Sequence, residues 1–195
     1  MYPTVVQFAT QSELIEVYTD TLLIYSKIKR YMIVIGIDPG LAITGCAVIT
    51  EGNNKQSLLF STSITTRTQD IFPARLSAIN EKLQKIIKKY HPDIAVLENL
   101  FFNTNAKTAF LVGQSRGIIQ LALYQNHVPV IEYTPLQVKI ALTGYGRAEK
   151  KQIQSMVSQI LKLPAHLSPD DVADAAAIAL THCFSYKINS KITSI

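Results

Sequence analysis

Two of the most apolar runs in this chain end in an acid. Ile33-Val34-Ile35-Gly36-Ile37 is followed by Asp38, and Ile94-Ala95-Val96-Leu97 by Glu98. Short continuous apolar runs bounded by turn residues read as buried strands. Strand interiors disfavour carboxylates, so each acid is expected at a strand end. A strand end meeting solvent explains one such acid. Two, at the same end of neighbouring strands, point to a shared chemical site.

The segments around these runs fix the architecture. Pro39-Gly40 closes the first run, and Ile43–Thr50 forms a second strand close enough to pair with it as a hairpin. Gly52-Asn53-Asn54 marks a turn, and Leu58–Ile64 reads as a third strand. The period then changes from two to 3.6: Leu76, Ile79, Leu83, Ile86, Ile87 and Tyr90 share one helical face. Lys82, Lys85, Lys88 and Lys89 lie off that face and read as solvated. Pro92 ends this helix before the Ile94–Leu97 strand. A loop with Phe101-Phe102-Asn103 leads into a long helix over 104–126, in which Gly113 and Gly117 allow another element to approach closely. Val128–Tyr133 is a fifth strand, and Thr134-Pro135-Leu136-Gln137 has the form of a capping box. A short helix follows. The next helix carries Ile153, Met156, Val157, Ile160 and Leu161 on its apolar face. Ser168-Pro169-Asp170-Asp171 opens a last helix that runs to about Phe184.

The order is β-β-β-α-β-α-β-α-α-α. Short turns make the first three strands antiparallel, and crossover helices make the last two parallel. The expected fold is α/β: a five-stranded mixed sheet with helices on both faces.

Composition limits the function classes. A chain of 195 residues holds about one domain, and 48% hydrophobic against 17% charged residues supports a sizeable core. Two cysteines, Cys46 and Cys183, exclude a disulfide-rich scaffold, and no apolar run approaches a membrane span. Lys+Arg is 19 against Asp+Glu 14, a net charge of +5 that suits a polyanionic partner without requiring one. Residues 1–31 read differently from the rest. Glu13, Glu16 and Asp20 interrupt their apolar positions, and Lys27, Lys29 and Arg30 come at the end. That pattern fits neither a signal peptide nor an acid-poor transit peptide. The expected division is an extension over 1–31, one domain over 32–185 and a short tail over 186–195. Met32 is a candidate initiation site.

Two further acids sharpen the reading of Asp38 and Glu98. Asp170 and Asp171 fall in the first turn of the last helix, where the helix dipole favours negative charge. That does not cover Asp174, which shares a helix face with Asp171. Asp174 sits in Val172-Ala173-Asp174-Ala175-Ala176-Ala177-Ile178, a small-residue helix suited to tight packing on a sheet. A carboxylate pressed there is costly unless paired or metal-bound, and no Lys or Arg near it in sequence offers a partner. A hard divalent cation fits this oxygen-donor inventory, whereas the Cys/His spacing of a zinc site is missing. Several carboxylates converging on a small sheet suit two-metal phosphoryl chemistry.

These residues in this order resemble the RuvC family of Holliday-junction resolvases, within the ribonuclease H-like superfamily. The motifs are Gly36-Ile37-Asp38-Pro39-Gly40 with Thr44-Gly45, Leu97-Glu98-Asn99-Leu100-Phe101 and Gly113-Gln114-Ser115-Arg116-Gly117. They continue with 133–139, Ala148-Glu149-Lys150, Leu161-Lys162-Leu163-Pro164 and Asp171-Val172-Ala173-Asp174-Ala175. The resemblance runs from Met32 to about Ser185. It implies a ribonuclease H-like fold in which Asp38, Glu98, Asp171 and Asp174 form the catalytic, metal-binding cluster. Two Mg²⁺ ions per subunit, with Mn²⁺ able to substitute, are the implied cofactors. The implied reaction is hydrolysis of a four-way DNA junction on two symmetric strands, leaving 5′-phosphate and 3′-hydroxyl ends.

The resemblance also implies a homodimer, partnership with the branch-migration proteins RuvA and RuvB, and residence in the bacterial cytoplasm with no membrane association. Phe101 would stack on an unpaired base, although a core position for Phe101 or Phe102 is the competing reading. Lys139 and Lys150 match positions that the family uses on the DNA backbone, and Lys107 and Arg116 are further candidates. The helix with Gly113 and Gly117 would be the dimer element, or would pack on its own sheet. Residues 1–31 and the short tail depart from the family pattern.

Three rivals stand beside this reading. An actin-like ATPase or sugar kinase shares the strand-Asp-x-Gly hairpin but needs a second lobe that the chain is too short to supply. A ribonuclease H acting on RNA–DNA hybrids shares the acids, so they do not discriminate, and the Phe101 loop and paired-glycine helix favour the junction reading. A non-catalytic junction binder would not need all four acids.

Overall fold

The computed structural model describes residues 31–53, 55–99 and 106–192, with side chains placed except at 106–108 and 187–192. Residues 1–30 of the extension, Phe101 and the Lys107 side chain lie outside the described residues. The strands are β1 (Met32–Asp38), β2 (Ile43–Gly52), β3 (Lys55–Thr65), β4 (Ile94–Glu98) and β5 (Val130–Tyr133). The helices are α1 (Phe72–Tyr90), α2 (Ala106–Gln125), α3 (Pro135–Thr143), α4 (Lys150–Ile160) and α5 (Asp170–Ile192).

The strands form one sheet in the order β3-β2-β1-β4-β5. β1 pairs antiparallel with β2, and β2 with β3; β1 pairs parallel with β4, and β4 with β5. This is the expected mixed sheet. The two runs that end in acids are neighbours in its centre, with Ile37 opposite Leu97. Their C-terminal ends therefore bring Asp38 and Glu98 to the same edge.

Side-chain alternation divides the sheet into two buried layers. Val34, Ala47, Ile49 and Val96 point toward α3, α4 and α5. Ile35, Ile37, Cys46, Val48, Ala95 and Leu97 point toward α1 and α2. The second layer is filled by large aliphatic side chains, among them Ile79, Leu83, Ile119 and Leu123, all fully buried. In the first, α5 presents Ala175, Ala176, Ala177 and Ala179. There the backbones themselves come close. A Cβ at Gly36 would collide with the carbonyl of Ala175, and one at Gly45 with the carbonyl of Asp171. Glycine at these strand positions is what lets α5 lie down on the sheet. Each layer buries one cysteine, Cys183 on α5 itself and Cys46 beneath α1 and α2.

Local chemistry sets several boundaries. Thr134 and Gln137 make the expected capping box at α3: Gln137 N–H donates to Thr134 Oγ1 at 3.2 Å, and Thr134 N–H to Gln137 Oε1 at 2.8 Å. β5 starts later than the sequence pattern suggests. Val128 instead closes α2, its N–H donating to the Leu123 carbonyl at 3.0 Å, after His127 takes a left-handed conformation (φ 56°). α5 follows a cis Ser168–Pro169 peptide bond and runs on to Ile192, past the expected end near Phe184. No Gly or Pro interrupts residues 185–192, so nothing in the chain stops the helix there. No helix among the described residues is long and apolar enough to cross a membrane.

Candidate active site

The turn after β1 holds Asp38 in place. Thr44 Oγ1 donates to the Gly40 carbonyl at 2.6 Å, Thr66 Oγ1 to the Leu41 carbonyl at 2.6 Å, and Thr66 N–H to the Ala42 carbonyl at 3.0 Å. Gly45 lies opposite Asp38 in the β1–β2 register, and the close approach of α5 at Gly45 is made by the main chain of Asp171. Asp171 therefore lies over the Asp38 strand end, and Asp174 lies one turn further along α5. Glu98 ends the neighbouring strand. Two strand ends and one helix thus bring together all four acids singled out in the sequence.

Their charges act on one another. Burial pushes the Asp38 carboxyl up to about 7, helped by the like charges of Asp174, Glu98 and Asp171, while Lys150 pulls it back. Burial also raises Glu98 above the usual carboxylate range, with Asp174 adding to the rise and Arg116 and Lys150 opposing it. The four carboxyl groups do not close into a tight cage: among the described residues no three His, Cys, Asp or Glu side chains meet in the geometry of a ready metal site. Like charges hold one another apart, and Asp174 is drawn aside to a lysine. Crowded, partly buried hard-oxygen donors of one sign nevertheless suit a dication. A positive charge among them would offset the burial and the like charges that raise Asp38 and Glu98.

That lysine corrects one sequence expectation. Asp174 has a cationic partner, supplied by α4 rather than by its own neighbourhood. Lys150 Nζ lies 2.9 Å from Asp174 Oδ2 and 3.3 Å from Asp170 Oδ2. The hydrogen bond to Asp174 holds Lys150 more firmly protonated, and the one from Lys150 lowers Asp170. Lys150 is thus part of the acidic cluster itself. Lys139 joins it on the wall of a cleft of about 220 Å³ that Glu98, Asp174, Val138 and Ile153 also line.

Arg116 meets a competing use. Its Nη1 donates to the main-chain carbonyl of Glu98 at 2.6 Å, and its Nη2 lies 2.5 Å from Glu132 Oε1. The side chain is nearly buried, so the availability to DNA expected from the sequence is largely taken up inside the fold. Arg75, which the sequence reading passed over, lines a second cavity beside Asp171, together with Gly40 and Leu41. Its Nε donates to Thr66 Oγ1 at 2.8 Å, next to the turn that holds Asp38. Only its position in an α1 otherwise lysine-rich on its outer face set it apart in the sequence.

The paired glycines of α2 do not pack on the sheet. A Cβ at Gly113 or Gly117 would meet nothing within 4 Å among the described residues. They belong to a stripe at helical spacing with Phe110, Leu121 and Tyr124, all three exposed. The own-sheet alternative for these glycines is therefore removed.

Comparison with known proteins gives this arrangement a context. The family model described as "Crossover junction endodeoxyribonuclease RuvC" matches residues 34–182. A protein of that name from Ruminiclostridium cellulolyticum is 49% identical over 159 residues, covering 82% of this chain and 96% of that protein. Another from Halothermothrix orenii is 49% identical over 160 residues, covering 82% of this chain and 97% of that protein. Among solved structures, Thermus thermophilus RuvC in complex with Holliday junction substrate superposes with a TM-score of 0.78 at 35% identity, covering 82% of this chain and 97% of that one. The yeast mitochondrial Holliday junction resolvase Ydc2, at 12% identity and a TM-score of 0.58, shares the fold. The match spans both acid-tipped strands, the glycine pair of α2 and the Asp171–Asp174 turn of α5, and the chain belongs to the RuvC family.

Proposed function

We propose that this chain is a crossover junction endodeoxyribonuclease that resolves four-way DNA junctions by paired symmetric nicks. The observation that carries the reading is the gathering of Asp38, Glu98, Asp171 and Asp174 at one edge of the sheet in a chain of this family. These four side chains are the proposed ligands of two Mg²⁺ ions per subunit, with Mn²⁺ as a substitute. Ions held there would supply activation of a water nucleophile and stabilisation of the leaving oxygen, which would give 5′-phosphate and 3′-hydroxyl ends.

The protein's own residues do the remaining work. Asp38 and Glu98, at the C-terminal ends of adjacent central strands, fix where the scissile phosphate can sit. Lys139 and Lys150 on the cleft wall draw the DNA backbone toward the acids, and Lys150 exchanges its carboxylate partners for phosphate as the substrate enters. Lys107 is a further backbone contact, and Phe101 stacks on a base unpaired at the crossover.

A four-way junction with homologous arms has a pseudo-two-fold axis, which a C₂ homodimer matches with two identical sites. The exposed Phe110, Gly113, Gly117, Leu121 and Tyr124 stripe is the proposed dimer face. Action in the bacterial cytoplasm beside RuvA and RuvB completes the proposal. The catalytic domain starts at Met32, and residues 1–31 stand outside it.

The test is cleavage of a synthetic mobile junction in Mg²⁺ beside Asp38→Asn and Glu98→Gln. Wild type should give paired symmetric nicks, while the variants bind the junction and leave it intact. Equal cleavage by the variants would remove the mechanism. Cleavage of an RNA–DNA hybrid in preference to the junction would replace the substrate.

A further inference from the structure

Arg116 joins three elements at the active edge of the sheet. From α2, its guanidinium reaches the main-chain carbonyl of Glu98 at the end of β4 and the Glu132 carboxylate on β5. Gln120, one turn along α2, adds a contact from its Nε2 to the same Glu132 oxygen at 3.4 Å. The Arg116 side chain is only 12% exposed.

The place it holds is the end of a strand. Glu98 is the last residue of β4, and its neighbour Tyr133 the last of β5. Asn99 N–H to the Tyr133 carbonyl, at 2.7 Å, is a closing bond of that parallel ladder. A strand end that has run out of ladder can swing, and any movement of the Glu98 main chain is carried into its carboxylate. A planar guanidinium offers two donors in a fixed fork, so it can hold a carbonyl and a carboxylate at once. An ammonium in its place has three donors on a flexible stem and no fixed plane to orient the two acceptors.

We infer that Arg116 is a positioning residue for Glu98: it anchors the end of β4 to α2 and β5, and it does not act as a phosphate contact. The inference rests on the proposed role of Glu98 in the acidic site.

The test separates anchoring from DNA binding, using the full chain and a synthetic mobile junction. For Arg116→Gln, junction affinity and its salt dependence should match wild type. Cutting at saturating junction should fall about 10- to 100-fold, the usual loss when support behind a metal ligand is removed. The rise in melting temperature on adding Mg²⁺ without DNA should shrink as well. Arg116→Lys should recover part of the rate.

A phosphate contact would behave differently. Weaker junction binding with a salt slope shallower by about 0.9 would overturn the inference, whatever the rate. Unchanged cutting together with an unchanged Mg²⁺ response would also overturn it. If Arg116→Gln does not fold, Glu132→Gln takes its place, since it loosens one anchor and keeps the guanidinium. It should show a smaller loss in the same direction, and wild-type rates there would sink the idea. Failure of wild type itself to cut junctions would instead remove the proposed function.

Discussion

The two faces of the sheet are built on opposite principles. Beneath α1 and α2, large aliphatic side chains fill the space and keep the backbones apart. Beneath α5, alanine and glycine remove side chains so that the backbones nearly touch. The first face supplies apolar burial. The second supplies less per residue and gains precision instead: a helix main chain pressed on a strand main chain has little room to slide, so Asp171 and Asp174 arrive at a fixed height above Asp38. Stability and placement of the site are thus assigned to different layers of one small domain.

Substitutions should separate the two roles. Leu83→Ala, in the aliphatic layer, should cost about 2–5 kcal/mol in chemical denaturation. The protein that remains folded should cut junctions at the wild-type rate. Gly45→Ala should cost a similar amount, about 3 kcal/mol or more, because the obstructing atoms are main chain and cannot turn aside. It should also abolish most of the cutting, because the new methyl meets the Asp171 carbonyl and lifts the start of α5. The comparison breaks if Gly45→Ala loses stability while keeping its activity, or if Leu83→Ala loses activity per folded molecule.

The acid cluster gives a third test, on stability and pH. The Asp38 carboxyl is raised to about 7 in the fold, above its ordinary value of 3.8. The folded state therefore favours the protonated acid. The chain loses stability as pH rises from about 4 to about 7 and does not regain it above that. In chelator at pH 8, Asp38→Asn should be more stable than wild type by roughly 4 kcal/mol at most. The gap should close as pH falls toward 4. A pH-independent gap would mean that neither burial nor the neighbouring acids hold the Asp38 carboxyl up. The smallest effect belongs to α2. Gly113→Ala faces open space and should add about 0.5–1 kcal/mol to the stability of the monomer. Any weakening of self-association, read by sedimentation, would sharpen the view that this stripe faces a second copy.

Much of this plan was legible in the residues. Apolar runs ending in Asp38 and Glu98, and the change of period between them, are local signals that report strand ends and crossover helices. The i, i+3 spacing of Asp171 and Asp174 is local too. What was not legible depends on partners far away in sequence. Lys150 reaches Asp174 across 24 positions, and no spacing rule links them. Arg116 looks like any exposed cation until Glu98 and Glu132 are placed around it. The glycines show the same limit. Gly113 and Gly117 stand out by their spacing yet touch nothing within the described chain, whereas Gly36 and Gly45 make the close approaches. A glycine in a strand reveals its purpose only when the element lying over it is known.

The two cysteines turn this division of labour into a measurement. Cys46 and Cys183 are fully buried on opposite sides of the sheet. Burial pushes the Cys46 thiol up to about 12, so it reacts with an alkylating reagent only when its layer opens. Mass spectrometry after timed exposure to such a reagent would give each face its own opening rate from a single unmodified sample. The chain thus carries one chemical clock on the side that holds it together and another on the side that aligns its acids.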